Sequence, residues 1–160
     1  MVIKVHKGTY QIIRKKEIIL STDFLGAGVA IGFIHKTQNV YGLASFILPY
    51  RDEDIEIEGF WLYSGETLLE LFQAELQSLK IDLEEAKWIL AGGSIFKENP
   101  NFLDLSEKNL KIAIAWLKRN GLLNQTLFKT NMPYPLILAI NPKEQRFEVK
   151  IKNKKVEYYE

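Results

Sequence analysis

Residues Glu17–Pro49, EIILSTDFLGAGVAIGFIHKTQNVYGLASFILP, decide the fold. Ile18, Ile19 and Leu20 form a short apolar run that closes on Ser21-Thr22-Asp23, the pattern of a brief strand. GAGVAIGFI and YGLASFIL follow, both rich in small and β-branched residues, with the polar His35–Asn39 turn between them. The stretch therefore predicts two β-rich runs joined by a polar turn. Small residues recur at Gly26, Ala27, Gly28, Ala30, Gly32, Gly42, Ala44 and Ser45. Missing side chains let something else come close. Two readings stand at this point: a packing seam inside the protein, or the floor of a site.

On either side of this stretch the pattern alternates between strand and helix. Val2–His6 and Tyr10–Ile13 alternate apolar and polar residues and predict a pair of short strands around Lys7-Gly8. Pro49, which lacks an N–H, ends the central ladder. Arg51–Glu58 (RDEDIEIE) reads as a solvated loop or edge strand, because it lacks the glycine and terminal glutamate spacing of a calcium loop. Ser64–Lys80 predicts a helix capped by Ser64, with Leu68, Leu69, Phe72, Leu76 and Leu79 on one stripe. Ala86–Ala91 reads as a buried strand. A second helix is expected from about Ser106, as its cap, to Asn120, with Gly121 as the stop. Pro135–Ile140 and Gln145–Ile151 read as strands joined by a turn at Asn141–Glu144, and the lysines between Lys150 and Lys155 read as protection for an edge strand. Strands, helix, strand, helix, strands: the order predicts one α+β domain over residues 1–160, with two main helices on one face of mainly antiparallel sheets.

Composition removes whole classes of chemistry. The chain has no cysteine, so disulfides, thiolate metal sites and cysteine nucleophiles are excluded together. Two histidines, His6 and His35, cannot build a histidine-rich metal centre, and no cofactor is expected. A formal net charge of +1 offers no attraction to nucleic acid or an anionic membrane. No apolar run approaches the roughly 20 residues that span a bilayer, and the charged N-terminus lacks an export block. The expectation is a cytoplasmic protein that neither binds nucleic acid nor inserts into a membrane.

The glycine motifs fail on context. Gly26-Ala27-Gly28 is followed by strand sequence rather than the helix whose N-terminus would hold a pyrophosphate, and the third glycine, Gly32, comes one place late. Gly92-Gly93 is followed by no lysine-serine or lysine-threonine pair. His35 lies seven residues beyond Gly28, roughly 23 Å along an extended strand, and reads as an exposed turn histidine. Ser21, Thr22, Ser45 and Ser94 carry hydroxyls but no evident base to activate them.

Taken together, these segments resemble one family. TDFLGAGVAI (Thr22–Ile31) followed by YGLASFILP (Tyr41–Pro49) is similar to the signature of the chemoreceptor glutamine deamidases of bacterial chemotaxis, the CheD family. Members typically read T-x-G-L-G-S-C-V-A-V and then G-x-x-A-H-x-M-L-P. Glu85-Ala86-Lys87 leading to Ala91–Phe96 resembles the family's EAK…GGA-x-MF segment, and Leu105–Leu110 resembles its IG-x-x-N-V helix start. The likeness runs in order over about residues 12 to 120. It implies a three-layer α/β/β sandwich and a reaction in which a cysteine attacks a glutamine side-chain amide, a histidine acts as base and a threonine orients it. It also implies two kinds of partner, a chemoreceptor cytoplasmic region and a CheC-type phosphatase. Carried over, the threonine position is Thr22, the cysteine position Gly28 and the histidine position Ser45. No catalytic residue is therefore expected. Gly26, Ala27, Gly28, Thr22, Ser45, Gly92, Gly93 and Ser94 would form a vestigial pocket or partner-binding surface. The alternatives are an amidohydrolase with a displaced nucleophile at Ser45, Thr22 or Ser94, and an unrelated α+β binding domain.

Overall fold

The computed structural model describes residues 1–151, 154 and 156–160. In chain order these form β1 (Val2–Val5), β2 (Thr9–Ile13), β3 (Ile19–Thr22), β4 (Val29–His35), β5 (Val40–Phe46), β6 (Ile55–Ile57), β7 (Phe60–Leu62) and α1 (Gly65–Ser78). They continue with β8 (Lys87–Gly92), α2 (Pro100–Arg119), β9 (Thr126–Thr130), β10 (Leu136–Asn141), β11 (Arg146–Ile151) and β12 (Glu157–Tyr159).

The two β-rich runs are β4 and β5, which form an antiparallel hairpin, Val29 opposite Phe46 through His35 opposite Val40, and every residue of both is buried. Such burial requires cover on both faces, which is why the run is continuously apolar or small rather than alternating. The hairpin is the middle of a five-stranded sheet ordered β2-β5-β4-β8-β9. Val29, Ile31, Phe33, Ala44 and Phe46 face α1 and α2, where Phe33, Phe72, Trp88 and Trp116 pack ring on ring at 5.0–6.0 Å. Ala30, Ile34, Tyr41 and Leu43 face the second sheet, ordered β1-β3-β10-β11-β12. The molecule is thus an α+β sandwich of three layers, helices, sheet and sheet, with mostly antiparallel pairing. Among the described residues no helix is long and apolar enough to cross a membrane.

The central glycines serve this layering. A Cβ at Gly42 would collide with the Phe33 ring, and one at Gly32 would lie 3.0 Å from Ile140 Cδ1 of the second sheet. At these two positions the small residues are a packing seam.

Local patterns predicted element type better than partnership. β1 and β2 exist, but they do not pair with each other: β1 runs parallel to β3, whereas β2 is antiparallel to β5. Between them the chain changes sheets at Gly8, whose N–H donates to the Ser45 carbonyl at 2.6 Å. α2 begins six residues before the expected start. Asn99 is its cap and Pro100 its first residue, the favoured combination for a helix N-terminus; Ser106 sits inside the helix, buried. His35 is not an exposed turn residue. It is fully buried at the end of β4, with Nδ1 accepting the Gln38 N–H at 3.0 Å. β11 is not an edge, because β12 pairs along it; Lys152 and Lys155 lie outside the described residues.

α1 is capped as expected, Ser64 Oγ accepting from the Thr67 N–H at 3.3 Å. The acidic stretch gives an exposed hairpin of β6 and β7, apart from Asp54. One Asp54 oxygen accepts the Ser64 N–H at 2.6 Å and the other the Thr67 hydroxyl at 2.5 Å. Partial burial opposes ionisation, but the hydrogen bonds from Thr67 and Ser64 outweigh it and hold this carboxyl below its ordinary value. A depressed carboxyl stabilises the fold above its unfolded value, near pH 4, and that contribution is lost as pH falls through the folded value. Urea midpoints measured from pH 6 down to pH 3 should fall less steeply for Asp54→Asn than for the wild type. Parallel curves would show that Asp54 is not one of the acid-sensitive groups.

Candidate functional site

Gly26–Gly28, Ser45 and Gly92–Ser94 lie at one end of the central sheet, and Thr22 lies in the other sheet. Gly28 immediately precedes β4, and a Cβ built there would lie 3.0 Å from the Phe46 carbonyl oxygen and 3.5 Å from Ile47 Cβ. Ser45 lies on β5 between Thr9 of β2 and Ala30 of β4. Thr22 ends β3 in the other sheet. It is 1% exposed, and its Oγ1 accepts the Leu138 N–H at 3.0 Å. The hydroxyl that the family resemblance would aim at an imidazole is here committed to β10.

The turn at Gly26-Ala27-Gly28 is held by main-chain and buried side-chain bonds from two other segments. The Gly93 N–H donates to the Gly28 carbonyl at 2.9 Å, and the Ser94 N–H and hydroxyl donate to the Gly26 carbonyl at 2.8 and 3.1 Å. From α2, Asn109 Nδ2 donates to the carbonyls of Ala27 at 3.0 Å and Ile47 at 2.9 Å, while Ser106 Oγ donates to the Ser94 carbonyl at 2.9 Å. Asn109 is fully buried. One amide group thus fastens the turn before β4, the exit of β5 and the helix to each other. Gly92, at φ +103°, lets the end of β8 approach Gly28 and Val29 closely.

Above this seam lies an aromatic lid. The rings of Phe96 and Phe102 meet edge to face at 5.0 Å and would touch a Cβ on Gly26 at 3.3 and 3.5 Å. Lys97 Nζ lies 5.6 and 5.7 Å from the two ring centroids.

The chemistry of the arrangement is limited. Ser45 is completely buried and its Oγ has no hydrogen-bond partner. A hydroxyl becomes a nucleophile only when a base takes its proton, so Ser45 is a buried small residue rather than an activated one. Ser94 is 1% exposed and its hydroxyl is already donating to Gly26. His35 lies at the opposite end of β4, its Nε2 3.8 Å from a Glu85 carboxylate oxygen. His6 is exposed and contacts Asp23 at 3.1 Å, a pairing across 17 residues that sequence spacing could not show. Asn109 and Ser106 were legible only as part of a helix start. Both lie on the buried face of α2 with Leu110, Ala113 and Leu117.

No family model matches the chain, and no curated protein matches it significantly. Among solved structures it is similar to a Neisseria meningitidis protein, NMB0706, described with the family model DUF152. That likeness has 10% identity and a TM-score of 0.46 and covers 83% of this chain. The chain spans 64% of that neighbour's length, and the neighbour belongs to a different family from the one the motifs resemble.

Proposed function

We propose that this chain is a CheD-like protein without deamidase chemistry that acts by binding a protein partner, a chemoreceptor cytoplasmic region or a CheC-type phosphatase. One observation carries the reading: the separate segments that resemble the family meet in a single hydrogen-bonded seam. Gly26–Gly28, Gly92–Ser94, Ser106 and Asn109 are joined there across more than 80 residues of chain. A cysteine-free chain with Gly28 and Ser45 at the family's thiol and imidazole positions retains that scaffold and lacks its reacting groups. Removing a nucleophile or base from a hydrolase costs on the order of 10⁶ in turnover, as in the protease subtilisin. The sealed hydroxyls of Ser45, Thr22 and Ser94 give no support to a displaced nucleophile.

The test has two parts. The purified protein, mixed with a chemoreceptor cytoplasmic fragment, should release no ammonia. It should nevertheless retain that fragment, or a CheC-type phosphatase, in a pull-down. Ammonia release would overturn the loss of chemistry, and release that survives Ser45→Ala would place the nucleophile elsewhere. Binding to neither protein would overturn the partner reading.

A further inference from the structure

A cavity of about 330 Å³ lies between the β6–β7 hairpin and the β1–β2 corner. That volume is at the low end of the roughly 300–1,000 Å³ of small-ligand sites. Gly8 and the fully buried Leu68 close its floor, Tyr10, Trp61 and Tyr63 form its sides, and Phe60, 79% exposed, stands at its mouth. The hairpin is fixed over the corner by the Tyr63 N–H, which donates to the Gly8 carbonyl at 3.3 Å. Gly8, at φ +85°, has no room for a Cβ, which would lie 2.7 Å from the Tyr63 nitrogen. The rings are positioned as well. Trp61 and Tyr63 lie parallel within 5°, their centroids 5.7 Å apart, and Tyr10 packs edge to face against Phe72 at 5.5 Å.

The polar chemistry of this cavity is largely spent. Thr9 Oγ1 donates to the His6 carbonyl at 2.6 Å, and the Tyr10 hydroxyl donates to Glu75 Oε1 at 2.8 Å. What remains is aromatic faces, whose electron density attracts cations. None of the described residues that line the cavity is charged, so no cation of the chain's own occupies those faces. Carboxylates stand around it. Glu75 holds the Tyr10 hydroxyl, Glu56 is the cross-strand partner of Trp61, and Glu58 lies in the hairpin turn. An adjoining cavity of about 230 Å³ is lined by His6 and Lys7, which disfavours a second cation there. A metal ion needs oxygen ligands and a primary ammonium needs hydrogen-bond acceptors. A quaternary ammonium needs neither, and aromatic faces suit it.

We propose that this cavity binds a small quaternary ammonium cation, with the methyl groups of the cation against Tyr10, Trp61 and Tyr63. The ring faces supply the attraction, and the surrounding carboxylates select for positive charge. The site uses none of the seam residues, so it and the partner-binding reading stand or fall separately.

Choline titrated into the full chain tests the proposal, followed by NMR through the indole N–H signals of the three tryptophans. Trp88 and Trp116 are buried, and their indoles donate to the Leu83 carbonyl and Gln73 Oε1. They are internal controls. The Trp61 signal alone should move, and it should saturate. The uncharged carbon isostere of choline, with a tert-butyl group in place of the trimethylammonium, should bind at least about tenfold more weakly, a difference of roughly 1.4 kcal/mol. Trp61→Leu, at a position 46% exposed, should weaken choline at least about tenfold and leave circular dichroism unchanged. Glu75→Gln should weaken choline several-fold and leave the isostere unaffected. The absence of a saturable Trp61 shift would overturn the proposal. Equal affinity for choline and its isostere would do the same, because it would mark a merely apolar pocket. Wild-type affinity in Trp61→Leu would place the cation elsewhere and overturn it too.

Discussion

Asn109→Ala should destabilise the protein by about 2–4 kcal/mol, because it strands the buried Ala27 carbonyl and the half-buried Ile47 carbonyl at once, and each such loss costs roughly 1–3 kcal/mol. The carbonyls of Ala27 and Ile47 have Asn109 Nδ2 as a partner at 3.0 and 2.9 Å, and the residue is fully enclosed. Water cannot replace the amide without opening the contact between α2 and the sheet. In a domain of this length the loss corresponds to a drop in Tm of about 10 °C. Asn109→Asp should be worse, since it points a carboxylate at two carbonyl oxygens in place of a donor. Asn101→Ala, at an exposed position on the same helix, is the control and should move Tm little. Comparable shifts for Asn109→Ala and Asn101→Ala would mean that the amide is not what fastens the turn to the helix.

Gly92→Ala should be comparably damaging, and Gly121→Ala should not. Both glycines have positive φ, +103° at Gly92 and +68° at Gly121. A Cβ on Gly121 meets nothing within 4 Å, so alanine there incurs only the left-handed backbone cost, about 1 kcal/mol. A Cβ on Gly92 runs into the Gly28 carbonyl oxygen and lies 3.0 Å from Val29 Cα. Both obstacles are main chain, and Val29 is the register partner of Gly92 in the β4–β8 ladder. Relief therefore requires distorting the ladder, and strain plus overpacking together cost about 3–5 kcal/mol. Urea midpoints of the two variants decide the matter. Equal losses would show that backbone conformation alone, rather than the close approach of β8 to Gly28, sets the need for glycine.

The elements that were legible in the chain are those whose pattern is local. α1 was readable from Leu68, Leu69, Phe72 and Leu76 on one stripe and from Ser64 in front of them, because helical period and cap are encoded within a few residues. β4 and β5 were readable as β-rich runs from their small and β-branched residues, whereas their burial on both faces was not. The N-terminus of α2 is written in Asn99-Pro100, yet Ser106, a buried helical residue, carries the same side-chain type as a cap and mimics a later start. His35 misled for a related reason: it adjoins the polar Lys36–Asn39 turn, yet its ring bends back beneath it to meet the Gln38 N–H. The separation of β1 from β2 could not be read at all, since alternation says that a strand has two faces and not which sheet it joins.

At the candidate site the same division holds. The absence of a thiol anywhere, and of an imidazole near Gly28, followed from the chain alone, and with it the exclusion of cysteine chemistry. Whether Ser45 and Thr22 could reach a substrate did not. Their burial is produced by β3, β10 and the second sheet closing over β4 and β5, with Leu138 reaching Thr22 across 116 residues. Sequence determined which groups are available to react, because residue identity is a local property. Tertiary structure alone decided which of them solvent can touch, because enclosure depends on layers contributed by segments far apart in the chain.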